Sequence, residues 1–228
     1  MQIRQLFDPQ SSTYSYLLWD ASTGEAALID SVKEQVQRDT QIIRELGLDL
    51  RYLLETHIHA DHITGAGELR KRFNARAMVH KSSDSKCADQ LLEEGNSLVL
   101  GSENIKVLYT PGHTNTDISF LIDGAVFTGD TLLIRGSGRT DFQSGNASEA
   151  YDSITGKLFT LPDSTIVYPG HDYEGRTVST IGEEKKYNPR LGEGKTREEY
   201  IEIMDNMDLP KPKMIDKAVP GNMECGLS

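Results

Sequence analysis

Cysteine is scarce: Cys87 and Cys225 are the only two in the chain, and they form no Cys-x-x-Cys pattern. That excludes a thiolate zinc site and a dense disulfide scaffold, and both side chains are expected to be ordinary reduced thiols. Long apolar runs are missing too. Nothing approaches the roughly 20 residues of a membrane-spanning helix, so no membrane partner is expected. The N-terminal stretch from Met1 to Asp8 has neither a signal-peptide core nor an Arg- and Ser-rich presequence, which makes a cytoplasmic location the expectation. Positive charge is in deficit, with 24 basic against 35 acidic side chains and a net charge of −11. No Lys/Arg-rich stretch offsets it, which argues against a nucleic-acid partner. Gly-x-Ser-x-Gly, Gly-x-x-x-x-Gly-Lys-Ser/Thr and Gly-x-Gly-x-x-Gly are all absent. A serine nucleophile elbow and phosphate or dinucleotide loops are therefore not indicated.

What is present is a concentration of metal-ligand chemistry. Of six histidines, three fall in Thr56-His57-Ile58-His59-Ala60-Asp61-His62, and two more, His113 and His171, follow Pro-Gly pairs. Asp130 closes Phe127-Thr128-Gly129-Asp130. Imidazole and carboxylate suit both zinc and iron, so ligand type alone leaves the metal open. Side chains alternate along an extended segment, which lets His57 and His59 meet one ion. Asp61 and His62 lie beyond that pair and could face a neighbouring position, with His113 and His171 arriving from other loops and Asp130 bridging or completing either site. Asp61 could equally cap a following helix. His80 stands apart and reads as a structural or surface residue.

Composition, at 37% hydrophobic and 26% charged, is that of a soluble globular protein, and one domain over 1–228 is expected. Strands are predicted over Tyr14–Trp19, Glu25–Asp30, Leu50–Glu55, Ala77–His80, Ile105–Tyr109, Ile118–Ile122, Ala125–Phe127 and Thr165–Tyr168, with Asp123-Gly124 as a hairpin turn. Helical spacing marks Val32–Leu46, a helix opening near Asp61 and His62 that carries Ile63, Ala66, Leu69 and Phe73, and Ser148–Leu161. A last helix begins at the capping-box pattern Thr196-x-x-Glu199. The proline-rich tail from Leu209 is expected to lie extended. Strand, tight turn and ligand recur along the chain, so an α/β fold of two packed mixed sheets with helices outside would gather the ligands on one rim.

Thr56–His62, with His113, Asp130 and His171 in order, resembles the Thr-His-x-His-x-Asp-His signature of the metallo-β-lactamase superfamily, whose fold is an αββα sandwich. Longer stretches are similar to glutathione-linked persulfide dioxygenases within it: Thr128–Gln143, Tyr168–Tyr173, Thr177–Thr180, Asn188–Leu191, Leu209–Pro212 and Asn222–Gly226. The resemblance implies one Fe(II) per chain held by His57, His113 and Asp130. His59, Asp61, His62 and His171 would then orient ligands and water. It further implies oxidation of glutathione persulfide by O2 and water to glutathione and sulfite. Glutathione is anionic, and Arg139 and Arg190 are the guanidinium candidates for its carboxylates, with Tyr173 adding a hydroxyl. Ser137 stands where some relatives carry cysteine, so a thiol-dependent property is not implied here. No rhodanese-like domain is appended, so a separate sulfurtransferase or free persulfide is expected to deliver the sulfur. Oligomeric state is left open, a homodimer included. The alternative is a glyoxalase II-like hydroxyacylglutathione hydrolase with a binuclear metal site bridged by Asp130; a non-catalytic metal-storing scaffold is the third option.

Overall fold

The computed structural model describes residues 1–227. Strands β1 (Gln2–Asp8), β2 (Thr13–Trp19), β3 (Glu25–Ile29), β4 (Asp49–Leu54), β5 (Arg76–His80) and β6 (Gln90–Leu92) form one sheet in that order. Its first two pairings are antiparallel and the other three parallel. The second sheet runs β12 (Ser179–Thr180), β11 (Ile166–Pro169), β10 (Ala125–Gly129), β9 (Ile118–Ile122), β8 (Glu103–Tyr109) and β7 (Ser97–Leu100). It is antiparallel except where β10 meets β11.

Alternation along the strands builds the layers. In β2, Tyr14, Tyr16 and Leu18 face the other sheet and meet Phe120 and Phe127, while Leu17 faces outward onto the helices. Tyr16 and Phe127 are at most 1% exposed, and their rings meet edge-on with centroids 5.0 Å apart. Burying side chains of this size contributes roughly 1.5–3 kcal/mol each. The outer face of the first sheet packs on α1 (Val36–Glu45) and α2 (Ala66–Phe73), which contribute Val36, Ile43 and Leu69. The outer face of the second packs on α3 (Ala147–Gly156), on Ile181 of α4 (Ile181–Tyr187) and on α5 (Arg197–Asp205), which contributes Tyr200 and Met204. The expected αββα arrangement is present.

The Thr196/Glu199 capping box forms as predicted, as does the hairpin at Asp123-Gly124, where Gly124 adopts φ +73°. Three expectations fail. Asp61 and His62 lie in a loop, and α2 starts only at Ala66, because the backbone of this loop bonds to distant groups instead of to a first helical turn. The tail is not extended throughout: α6 (Ile215–Met223) forms and places Ala218, Gly221 and Asn222 in the interior, with Pro220 inside the helix. Cys87 and Cys225 are joined in a disulfide, their Cα atoms 5.9 Å apart. Their separation of 138 residues concealed the pairing, which depends on α6 returning to the segment before β6. Strands β1, β6, β7 and β12 and helix α4 were not foreseen. Among the described residues no helix is long and apolar enough to cross a membrane.

Candidate metal centre

Four strand ends deliver the chain to one rim. β4 runs into Thr56 and His57, β8 into Pro111-Gly112-His113, β10 into Asp130, and β11 into Gly170-His171. Two backbone hydrogen bonds tie the sheets together there: Ile118 N donates to Thr56 O at 2.8 Å and Tyr14 N to Gly170 O at 2.8 Å.

His57, His113 and Asp130 bring one donor atom each to within 4.8 Å of one another. Each is oriented by a specific partner. The His113 Nδ1–H donates to the carbonyl of Arg139 at 2.7 Å, which leaves Nε2 free and 3.7 Å from Asp130 Oδ2. His57 Nδ1 lies 3.0 Å from Thr56 Oγ1, whose own hydroxyl donates to Asp30 Oδ2 at 2.8 Å. With that proton committed, His57 Nδ1 is the donor and its Nε2 keeps the lone pair. Burial, reinforced by His59 and His113, pushes His57 well below its ordinary value, so it is neutral and able to ligate. Burial opposes ionisation of Asp130, yet facing His171, through charge and a hydrogen bond, holds its carboxyl well below the usual range, with help from His113 and His57.

Glycines make room for this constellation. Gly129 adopts φ +49°, and a Cβ there would lie 2.4 Å from Thr56 Oγ1. A Cβ on Gly138 would lie 2.3 Å from Asp130 O and 2.8 Å from His113 Cγ.

The remaining predicted residues are close by but arranged differently. His171 donates from Nδ1 to Asp130 Oδ1 at 2.7 Å and from Nε2 to Asp61 Oδ2 at 3.0 Å. Asp61 Oδ2 also takes His62 Nδ1 at 2.9 Å and the Thr13 hydroxyl at 3.1 Å. Both nitrogens of His171 therefore face carboxylates. His59 turns away from His57's partners: its Nε2 is 3.2 Å from Asp30 and 3.4 Å from Glu55. His59 and His171 are each raised well above the ordinary histidine value, burial being outweighed by their paired carboxylates.

Asp30, Glu55, Thr13 and Asn222 were missed. Asp30 left a signal, a carboxylate ending an apolar strand, and it sits buried at φ +50° beneath the ligand loop. Of the two readings of His80, structural or surface, the structural one holds: it is buried, stacks on Tyr109 with centroids 4.2 Å apart, and is pushed down to about 4 by burial and then Lys81.

The substrate candidates divide. The guanidinium of Arg139 is already engaged by Asp141, at 2.6 and 2.7 Å, and by the carbonyls of Leu209 and Pro210. Its carbonyl aligns His113. Arg190 is half-buried and donates to the carbonyl of Ser137, beside Gly138. Among the described residues no carboxylate lies within 4.0 Å of it, and burial lowers its value. Tyr173 is 75% exposed and stacks alongside His171 with centroids 6.0 Å apart.

A cation fits this set. Two imidazoles and a carboxylate converge, and each keeps a donor atom beyond the one its orienting hydrogen bond uses.

Comparison with known proteins agrees. Residues 8–171 match the family described as the metallo-beta-lactamase superfamily. The chain is 49% identical to persulfide dioxygenase ETHE1, mitochondrial, of Mus musculus, over 99% of this chain and 89% of that protein. It is 55% identical to ETHE1 from Myxococcus xanthus in its crystal structure, with a TM-score of 0.97 over 99% of this chain and 100% of that one. A probable hydroxyacylglutathione hydrolase of Schizosaccharomyces pombe is 31% identical over 77% of this chain and 81% of that protein.

Proposed function

The chain belongs to the metallo-beta-lactamase superfamily, and from that membership we propose that it is a glutathione-dependent persulfide dioxygenase working with one ferrous ion. One observation carries the proposal: the three-donor cluster sits in a chain whose similarity to persulfide dioxygenases spans 99% of its length. The hydrolase alternative matches less of the chain at lower identity.

His57, His113 and Asp130 would hold the ion, and two imidazoles with one carboxylate on one face leave further positions open. When bound, ferrous iron supplies the redox chemistry that joins dioxygen to sulfur. The chain's own residues orient and bind. His171, fixed between Asp61 and Asp130, turns the second Asp130 oxygen toward His113. Thr56 and the Arg139 carbonyl present the free nitrogens of His57 and His113. Holding these groups in place before substrate arrives lets proximity supply much of the rate. Arg190, a half-buried cation with no carboxylate of its own, would take a glutathione carboxylate, and exposed Tyr173 would contribute its hydroxyl at the rim.

An oxygen electrode with sulfite detection tests this. Iron-loaded protein is expected to consume O2 and release sulfite when given glutathione persulfide. Cleavage of an S-acylglutathione thioester without persulfide-dependent O2 uptake would refute it.

A further inference from the structure

The segment Asn222–Gly226 has no part in the chemistry above, yet it grips the ligand loop. Asn222 is 4% exposed. Its Nδ2 donates to the carbonyl of His59 at 2.9 Å and to that of His62 at 2.9 Å, while its Oδ1 accepts from Thr64 N at 2.8 Å. One side chain thus satisfies three backbone groups across the stretch from His59 to Thr64, which has no helix or strand ladder to satisfy them. Only an amide can do this, since both donors and the acceptor are in use.

Asn222 is itself held in place. Gly67 N donates to Cys225 O at 2.9 Å, Lys33 Nζ donates to Gly226 O at 2.7 Å, and the disulfide ties Cys225 to Cys87. Gly226, at φ +72°, approaches so closely that a Cβ would lie 2.1 Å from Thr64 O. The loop it clamps carries Asp61, which holds His171, which in turn holds Asp130.

We propose that Asn222 is a positioning residue for the metal centre: by bridging the carbonyls of His59 and His62 it fixes Asp61, and through His171 the orientation of Asp130. This rests on the metal centre proposed above but not on which reaction it performs. Loss of a hydrogen-bond partner of a ligand itself typically costs 10–100-fold in metal affinity; Asn222 acts further out, so up to about 10-fold is expected.

The test uses the full chain loaded with Co(II), whose visible spectrum reports ligand geometry, and follows metal loss to a chelator. Asn222→Ala is expected to release Co(II) up to about 10-fold faster with an altered spectrum, and Asn222→Ser, which keeps one donor and one acceptor, to fall between. In the iron form kcat should drop while KM for the persulfide holds. Ala218→Gly, buried one turn before Asn222 on α6, is the control for simple loss of helix stability. Should Asn222→Ala fail to fold, Asn222→Ser decides. Metal release at the wild-type rate in the folded variant, or equal acceleration in Ala218→Gly at matched loss of Tm, overturns the proposal. Because the cobalt readout needs no turnover, a protein that binds metal but does not oxidise persulfide would refute the dioxygenase assignment and leave this one standing.

Discussion

Removing the Cys87–Cys225 disulfide should loosen the C-terminal helix from the body. The bridge closes a loop of 138 residues, and chain-entropy arithmetic for a loop of that length gives roughly 5 kcal/mol as an upper figure. The realised value should be smaller, because the Gly67–Cys225 and Lys33–Gly226 bonds can persist after reduction. A loss of about 2–4 kcal/mol is expected, which for a chain of this size lowers Tm by roughly 4–16 °C. Thiol titration of the protein purified without reductant should find no free thiol until it is unfolded and reduced. Thermal unfolding of Cys225→Ser, and of wild type with and without reductant, supplies the second readout. Two thiols titrating in the untreated native protein, or an unchanged Tm in Cys225→Ser, would refute the pairing.

Three further outcomes follow from particular side chains. Asp39, buried on α1, is pushed up to about 6 by burial despite Arg38, and its Oδ2 has no partner. The folded state therefore holds this proton more tightly than the unfolded chain, so its contribution is full below about pH 4 and is lost as pH rises through about 6. Asp39→Asn should remove that dependence and stabilise the protein by up to about 3 kcal/mol at pH 7.5, read from urea unfolding at pH 4.5 and 7.5; equal pH slopes in the two proteins would contradict it. Gly138→Ala should force apart Asp130 O and His113 and weaken metal binding about 10–100-fold in chelator competition, whereas wild-type affinity would show that the turn has room. Arg190→Ala should raise KM for glutathione persulfide more than Arg139→Ala does, because Arg139 is already paired with Asp141; the reverse order would return the carboxylate to Arg139.

Local chemistry was legible where local chemistry decides. Asp123-Gly124 can hardly avoid a hairpin, Thr196 and Glu199 cap reciprocally, and Pro-Gly pairs end strands just before His113 and His171. The pool of candidate ligands was legible because such residues are rare and clustered, but the choice of His57, His113 and Asp130 among them is what the family resemblance implies; alternation alone paired His57 with His59, which faces Asp30 and Glu55 instead. What escaped depends on contacts distant in sequence. Asn222 meets His59 across 163 residues, and Cys87 meets Cys225 across 138. Asp61 and His62 were placed in a helix because Ile63, Ala66 and Leu69 carry helical spacing, but Asn222 takes the Thr64 N–H and the His62 carbonyl that would extend it. The proline count of the tail suggested an extended course, yet burial of Ala218 and Asn222 outweighs Pro220. Arg139 was read as a candidate carboxylate binder, and its pairing with Asp141, two residues on, depends on how the turn folds back.

The number of metal ions bound per chain tests the site most directly. Protein saturated with ferrous iron, freed of excess by anaerobic gel filtration and assayed by elemental analysis, should carry one ion per chain, and none when His57, His113 or Asp130 is replaced. Two ions per chain, with the second lost on replacing Asp61, His62 or His171, would contradict the single-metal centre.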